Sequence, residues 1–198
     1  MSPVSSKDVM ALRQKTGIGM MDCKRALEAA DGDFEKAIEY LRKKGIAKGE
    51  ARLGRRMGEG LIDSYIHPGG RIGVLLEVTC ETDFVARSED FRTMVHDIAM
   101  HIAAAVPKYV QREDIPEEKV QKELEIYREQ IADANKPPEI VDRIAKGKLE
   151  KFYREVCLLE QGFVKDPDKT IKELILETAG KLKENIMVRR FTRFALGD

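Results

Sequence analysis

The sequence predicts an α+β protein. A three-helix bundle comes first, then a small antiparallel sheet packed on helices, a helical hairpin of coiled-coil type, and a closing helix and strand. Three observations carry this prediction. Apolar residues within 1–45 recur at helical spacing between recognisable caps, and from Glu59 the pattern changes to strand-like alternation. Farther on, about 117–162, long apolar stripes run through a highly charged background.

Within 1–45, Ser5 or Ser6 caps a first helix that Gly17 ends. Thr16-Gly17-Ile18-Gly19-Met20-Met21 reads as a tight loop, with Asp22 starting a second helix. That helix carries Cys23, Ala26, Leu27 and Ala30 on one face and stops at Asp31-Gly32. Asp33 caps a third helix bearing Phe34, Ala37, Ile38 and Leu41, which Lys43-Lys44-Gly45 is expected to close. Residues 46–57, with Lys48, Arg52, Arg55 and Arg56, read as a solvated, partly helical basic linker, and 58–198 as the α+β core.

In the core, residues 61–66 and 71–79 are strands joined by the turn His67-Pro68-Gly69-Gly70. Ser88 caps a helix with the stripe Phe91, Val95, Ile98, Ala99 and Ile102, closed by Pro107, and Tyr109-Val110 suggest a brief third strand. The hairpin follows. Val120, Leu124, Tyr127 and Ile131 line its first helix, which ends before Lys136-Pro137-Pro138. Ile140, Ile144, Leu149, Phe152, Val156 and Leu159 line the second, with Gly147 as the place where it can break. Thr170 starts a last helix through Leu174 and Leu182, and residues 185–196 form a final strand.

Composition narrows the function. The chain has 198 residues, and its 35 Lys and Arg balance 35 Asp and Glu, so no bulk field draws it to nucleic acid. Lys7, Asp8 and Arg13 interrupt any apolar signal region, and no run approaches a membrane span, so a cytoplasmic location is expected. Cys23, Cys80 and Cys157 lack a C-x-x-C spacing and are expected to be reduced and mostly buried. His96 and His101 lie five apart on a helix, and His67 sits in a turn, which argues against a shared metal. Gly17-Ile18-Gly19 lacks the dinucleotide fingerprint, and Gly45-x-x-x-Gly49 is followed by Glu50 rather than the Lys-Ser/Thr of a phosphate loop. The residues therefore indicate a binding protein without covalent chemistry, cofactor or metal. The candidate contact is Thr82-Asp83-Phe84-Val85-Ala86-Arg87, where a strand gives way to a helix. Phe84 is there either placed to meet a partner or an ordinary core residue folded back under the turn.

Two stretches extend this reading. Thr16-Gly17-Ile18-Gly19-Met20-Met21-Asp22-Cys23-Lys24-Arg25-Ala26-Leu27 and Cys80-Glu81-Thr82-Asp83-Phe84-Val85-Ala86 resemble the N-terminal and central signatures of the bacterial translation elongation factor Ts family. Gly147-Lys148-Leu149 through Phe152, with Leu158-Leu159-Glu160-Gln161, is similar to its coiled-coil region. The resemblance implies a bundle like ubiquitin-associated domains and guanine-nucleotide exchange on elongation factor Tu. Thr82, Asp83, Phe84 and Val85 would then intrude beside the nucleotide and disturb the magnesium site, and Met20 or Met21 would add a contact. Longer members carry two core units, whereas this chain has one. A single unit leaves a sheet face or edge uncovered, so a homodimer and a 2:2 complex with the GTPase are expected, with no direct nucleic-acid contact. The alternatives are a helical protein-interaction module and a ribosome- or RNA-associated protein using the Lys48 to Arg56 segment.

Overall fold

Local capping sets the first elements of the computed structural model, which describes residues 4–132 and 137–197. Ser5 accepts a hydrogen bond from the Asp8 amide and starts helix α1, Ser6–Thr16. Gly17 closes it with a left-handed φ of 65° and an amide bonded to the Arg13 carbonyl. Helix α2 spans Met20–Ala29, so it begins two residues before the expected start at Asp22. Asp22 lies in its first turn and accepts Lys44 and Lys48 Nζ, each at 3.2 Å, which holds its carboxyl below the usual range. Asp33 caps helix α3, Phe34–Glu50. Val9, Leu12, Cys23, Ala26, Leu27, Ala37 and Leu41 form the bundle core.

Helix α3 corrects one expectation: it runs through Gly45 and ends only at Glu50. Its glycines are contact positions rather than a stop. The partner is helix α8, Ile171–Leu182, whose start is capped reciprocally by Thr170 and Glu173. A Cβ at Gly49 would sit 2.4 Å from the Leu176 carbonyl oxygen, and one at Gly180 would sit 2.4 Å from the Gly45 oxygen. The two backbones therefore touch, and this packing outweighs the roughly 1 kcal/mol that each helical glycine costs. Arg42 reinforces the contact through an ion pair with Glu177 at 3.0 Å.

The chain divides into two compact units that interleave in sequence. One comprises 1–60, 79–91 and 175–187, and the other 61–78, 92–174 and 188–198. The second unit is built on strands β1, Glu59–Ile66, β2, Ile72–Cys80, and β5, Ile186–Ala195, in the order β1-β2-β5. The β1–β2 hairpin is closed by the His67 amide on the Ile72 carbonyl, and Leu196 donates to the Arg71 carbonyl, so β5 runs antiparallel to β2. Along β2, Val74, Leu76 and Val78 are buried while Leu75 between them is exposed. Helix α5, Glu89–Ala105, is linked to the sheet by Asp63–His96 and by Arg193 on the Ala103 carbonyl.

The hairpin pairs helix α6, Glu117–Ala132, with helix α7, Pro138–Val156. Residue Lys136, where the first helix was expected to stop short, lies outside the described residues. Helix α7 is unbroken at Gly147, and Ile140 is exposed rather than on the packed stripe. Ile115, Phe152, Val156 and Cys157 form the hairpin core, with Tyr109, Val120, Tyr127, Leu149 and Tyr153 against it. Tyr109 makes only an isolated parallel bridge to Cys157, not a third strand, because its bonds are with the end of α7. Two short strands escape the sequence pattern altogether: β3, Gly162–Phe163, and β4, Asp166–Thr170, are antiparallel. A two-residue strand gives alternation nothing to register.

Helix α5 and the β3 region are joined by a buried polar link. His101 is fully enclosed, and its Nδ1 accepts the Val164 amide at 3.3 Å, so Nε2 carries the proton and donates to Gln161 Oε1 at 3.0 Å. The Gln161 amide then donates to the Glu155 carbonyl at 2.7 Å. Burial lowers the basicity of His101, with the Gln161 bond opposing in part.

Two outcomes are expected. Gly49→Ala should force α3 and α8 apart and cost about 1–3 kcal/mol in chemical denaturation, whereas Gly19→Ala, with open space around it, should cost much less. For His101 the folded state resists protonation, so the unfolded chain binds the proton first. Stability is complete above the ordinary histidine value of 6.5 and falls below it until the lowered folded value is passed. One proton gives a slope of at most about 1.4 kcal/mol per pH unit in that window. Denaturation curves from pH 7 to 5 should show the slope, and His101→Gln should remove it.

Candidate functional site

The stretch between β2 and α5 is a single helical turn, α4, Asp83–Ala86, rather than a loop. Thr82 is extended and caps it, its Oγ1 accepting the Val85 amide at 3.3 Å, while its carbonyl accepts the Ala86 amide at 3.2 Å. The turn then stops at once, because Ser88 takes the Phe91 amide on its hydroxyl and caps α5 as expected. Both caps fall within seven residues, so the local sequence sets where the turn begins and where it ends.

Helical geometry decides which way each side chain faces. Val85 and Ala86 are buried, at 5% and 9% exposure, and successive residues lie about 100° apart, so Asp83, Phe84 and Arg87 must face outward. Phe84 is 82% exposed. Of the two readings open for it, core residue and surface aromatic, the structure selects the second. Burying an aromatic is the ordinary outcome, and holding one in water forgoes on the order of 2 kcal/mol. Asp83 forms an exposed ion pair with Arg87 at 3.0 Å, worth little in water and readily exchanged for other partners.

The turn is tied at its root by groups far away in sequence. Glu184 Oε2 accepts the Glu81 and Thr82 amides, each at 3.1 Å, and its Oε1 accepts the Thr82 hydroxyl at 2.5 Å. Glu81 returns the contact by accepting the Asn185 amide at 2.6 Å. Beneath them the Cys80 thiol donates to the Thr82 carbonyl at 3.2 Å. Burial, aided by the Glu184 charge, pushes that thiol up to about 11, so it stays a protonated donor. Sequence reading singled out Thr82, Asp83, Phe84 and Val85 as the candidate contact and did not single out Glu184, Glu81 or Asn185, which the structure brings to the root of the turn. No local pattern marks residues that meet across 103 positions.

Met20 and Met21 occupy the first turn of α2 and are 45% and 61% exposed. Met20, Met10, Arg13, Gln14 and Gly17 line a shallow groove on the bundle. These methionines and Phe84 belong to the same compact unit. The basic segment is largely occupied: Lys48 pairs with Asp22, Arg52 with the Lys48 carbonyl, and Arg55 with Glu81 at 3.5 Å. All three cysteines are free and buried. Among the described residues no group of three His, Cys, Asp or Glu is arranged to hold a metal ion, and no helix is long and apolar enough to cross a membrane.

Comparison with known proteins agrees with the two signatures. A family model described as Elongation factor TS matches residues 35–198. Elongation factor Ts of Moorella thermoacetica is 58% identical over 195 residues, covering 98% of this chain and 96% of that protein. The proteins of the same name from Carboxydothermus hydrogenoformans and Caldanaerobacter subterraneus subsp. tengcongensis are each 55% identical, with 90% and 98% of their lengths covered. The chain belongs to the elongation factor Ts family.

Proposed function

We propose that this member of the elongation factor Ts family performs guanine-nucleotide exchange on elongation factor Tu through the turn Thr82 to Val85, with Phe84 as the wedge. The observation that carries this reading is an aromatic 82% exposed on a turn capped at both ends. Phe84 enters an apolar pocket between helices of the GTPase. Asp83 releases Arg87 and sets its carboxylate among polar groups there, while Thr82 and Val85 hold the shape of the turn. The intrusion disturbs the magnesium and phosphate site, and GDP leaves.

No bond is made or broken in this scheme. A factor that binds the nucleotide-free GTPase more tightly than the GDP form weakens GDP affinity by the same ratio. A buried aromatic at an interface centre contributes about 2–4 kcal/mol, which corresponds to roughly 30- to 1000-fold in nucleotide affinity. Loss of magnesium, which bridges phosphate charge to the GTPase, adds to this. GTP then binds by mass action and expels the factor.

The helical bundle supplies a second contact through Met20 or Met21, which lie in the same compact unit as the wedge. The reading places the protein in the cytoplasm, where its GTPase partner works. The occupied basic residues Lys48, Arg52 and Arg55 count against an RNA-binding arm.

We further propose that the chain is a twofold dimer that binds two GTPase molecules. The support is an uncovered apolar sheet face. Ile62, Ile66, Leu75 and Phe194 are 61%, 63%, 52% and 71% exposed, and a Cβ on Gly73 would lie 3.1 Å from Ile66 Cδ1, which sets β1 and β2 side chains on one face. Contiguous exposed apolar area of this kind marks an association surface, and self-pairing about a twofold axis covers it on both copies.

Release of a fluorescent GDP from elongation factor Tu at fixed magnesium tests the wedge. Catalytic amounts of the chain should accelerate release, and Phe84→Ala should cut that acceleration at least about tenfold while changing unfolding stability by under about 0.5 kcal/mol. Normal exchange by a folded Phe84→Ala, or its unfolding, would overturn the assignment. For the dimer, sedimentation at tens of micromolar should give twice the chain mass and Leu75→Glu should give a monomer. A monomeric unmodified chain would sink the dimer.

A further inference from the structure

A surface turn of four residues with an exposed aromatic does not hold its own shape, and the bonds that fix this one come from the other end of the chain. Helix α8 ends at Leu182, and Lys183 follows with a left-handed φ of 64°. That conformation is disfavoured for a residue with a side chain and redirects the backbone abruptly. It delivers Glu184 and Asn185 to the strand end at Glu81. The result is a crossed clasp: the Glu184 carboxylate accepts the Glu81 and Thr82 amides, and the Glu81 carboxylate accepts the Asn185 amide. Asn185 is itself buried and donates from its side chain to the Arg55 carbonyl at 3.3 Å, which fixes the second half of the clasp.

Glu184 also controls the cap of the turn. A hydroxyl has one proton and a free rotor, and as a helix cap it must present a lone pair to the amide it accepts. Glu184 Oε1 accepts the hydrogen bond of the Thr82 hydroxyl at 2.5 Å, which leaves a lone pair of Oγ1 facing the Val85 amide. Hydrogen bonds to a carboxylate are stronger than those between neutral groups, so three on one residue form a firm tether. We propose that Glu184 is the positioning residue of the exchange turn: its carboxylate orders Thr82 and so presents Phe84 in the binding geometry before the GTPase arrives. This rests on the reading of Phe84 as the wedge. Without the tether the turn samples other shapes, and ordering it on contact subtracts from the binding energy available to expel nucleotide.

The test uses the full chain in four forms: unmodified, Glu184→Ala, Phe84→Ala and the double variant. Amide hydrogen exchange on the free protein reads the clasp directly. Glu184→Ala should lower protection of the Val85 and Ala86 amides about tenfold while amides of the bundle core, such as Leu41, keep theirs. Unchanged protection at Val85 and Ala86 would overturn the proposal. So would an equal loss at Leu41, which would make Glu184 a general stability residue. Exchange kinetics then read the consequence. Glu184→Ala should slow GDP release from elongation factor Tu about tenfold, and in the Phe84→Ala background it should have no further effect. An additive loss in the double variant would mean that Glu184 acts other than through Phe84, and would also overturn it. If Phe84→Ala alone exchanges normally, the wedge reading fails, while the protection data still decide whether Glu184 orders the turn. Glu184→Gln, which keeps one acceptor oxygen, should fall between the unmodified chain and Glu184→Ala in both measurements, and equality with Glu184→Ala would overturn the graded tether.

Discussion

The contact on which the unit carrying the Phe84 turn depends is the touching of two helix backbones, α3 and α8, at Gly45, Gly49 and Gly180. No side chain fits between them, since a Cβ at Gly49 or Gly180 would lie 2.4 Å from a carbonyl oxygen. Close packing without a side chain to adjust leaves little freedom in how α8 lies against α3. Where α8 lies fixes where it ends, and its end delivers Glu184 to the root of the turn. Lys181, in the last turn of the same helix, also pairs with Asp90 at the start of α5 at 2.7 Å. Three glycines thus set the frame for a phenylalanine far from them in sequence.

This arrangement reconciles two demands on the turn. To act on a partner, Phe84 must be exposed, which gives up the energy that burial would supply. To act efficiently, it must also be ordered, because a mobile aromatic would lose part of its binding energy to ordering on contact. Burial of Val85 and Ala86, caps at Thr82 and Ser88, and the Glu184 tether supply the order that Phe84 itself does not. The neighbouring thiol of Cys80 is part of the same solution. Kept protonated by burial, it serves the Thr82 carbonyl as a donor rather than as a reactive group.

Legibility in the sequence followed the range of the interaction. The capped helices of the bundle, the β1–β2 hairpin, the α5 stripe and the last helix and strand were all readable, because each is written in residues a few positions apart. The readings failed where a distant partner intervened. Gly45 carries the signature of a helix end, yet α3 passes through it because α8 is the reason for the glycine. Gly147 reads as a break and Ile140 as packed, but the hairpin keeps α7 continuous and leaves Ile140 in water. The β3–β4 pair is too short for any period to reveal.

What the sequence by itself determined is the fold class, the family signatures and the identity of the residues at the turn, Thr82, Asp83, Phe84 and Val85. These depend on local pattern and on residue types in fixed order. What only the tertiary structure decided is that Phe84 faces water and that Glu184 holds the turn beneath it. A phenylalanine between a strand and a helix is chemically the same residue whether it is core or wedge. Its exposure is fixed by which neighbours are already buried, Val85 and Ala86, and the turn is held by a carboxylate that bonds Thr82 from 102 positions away.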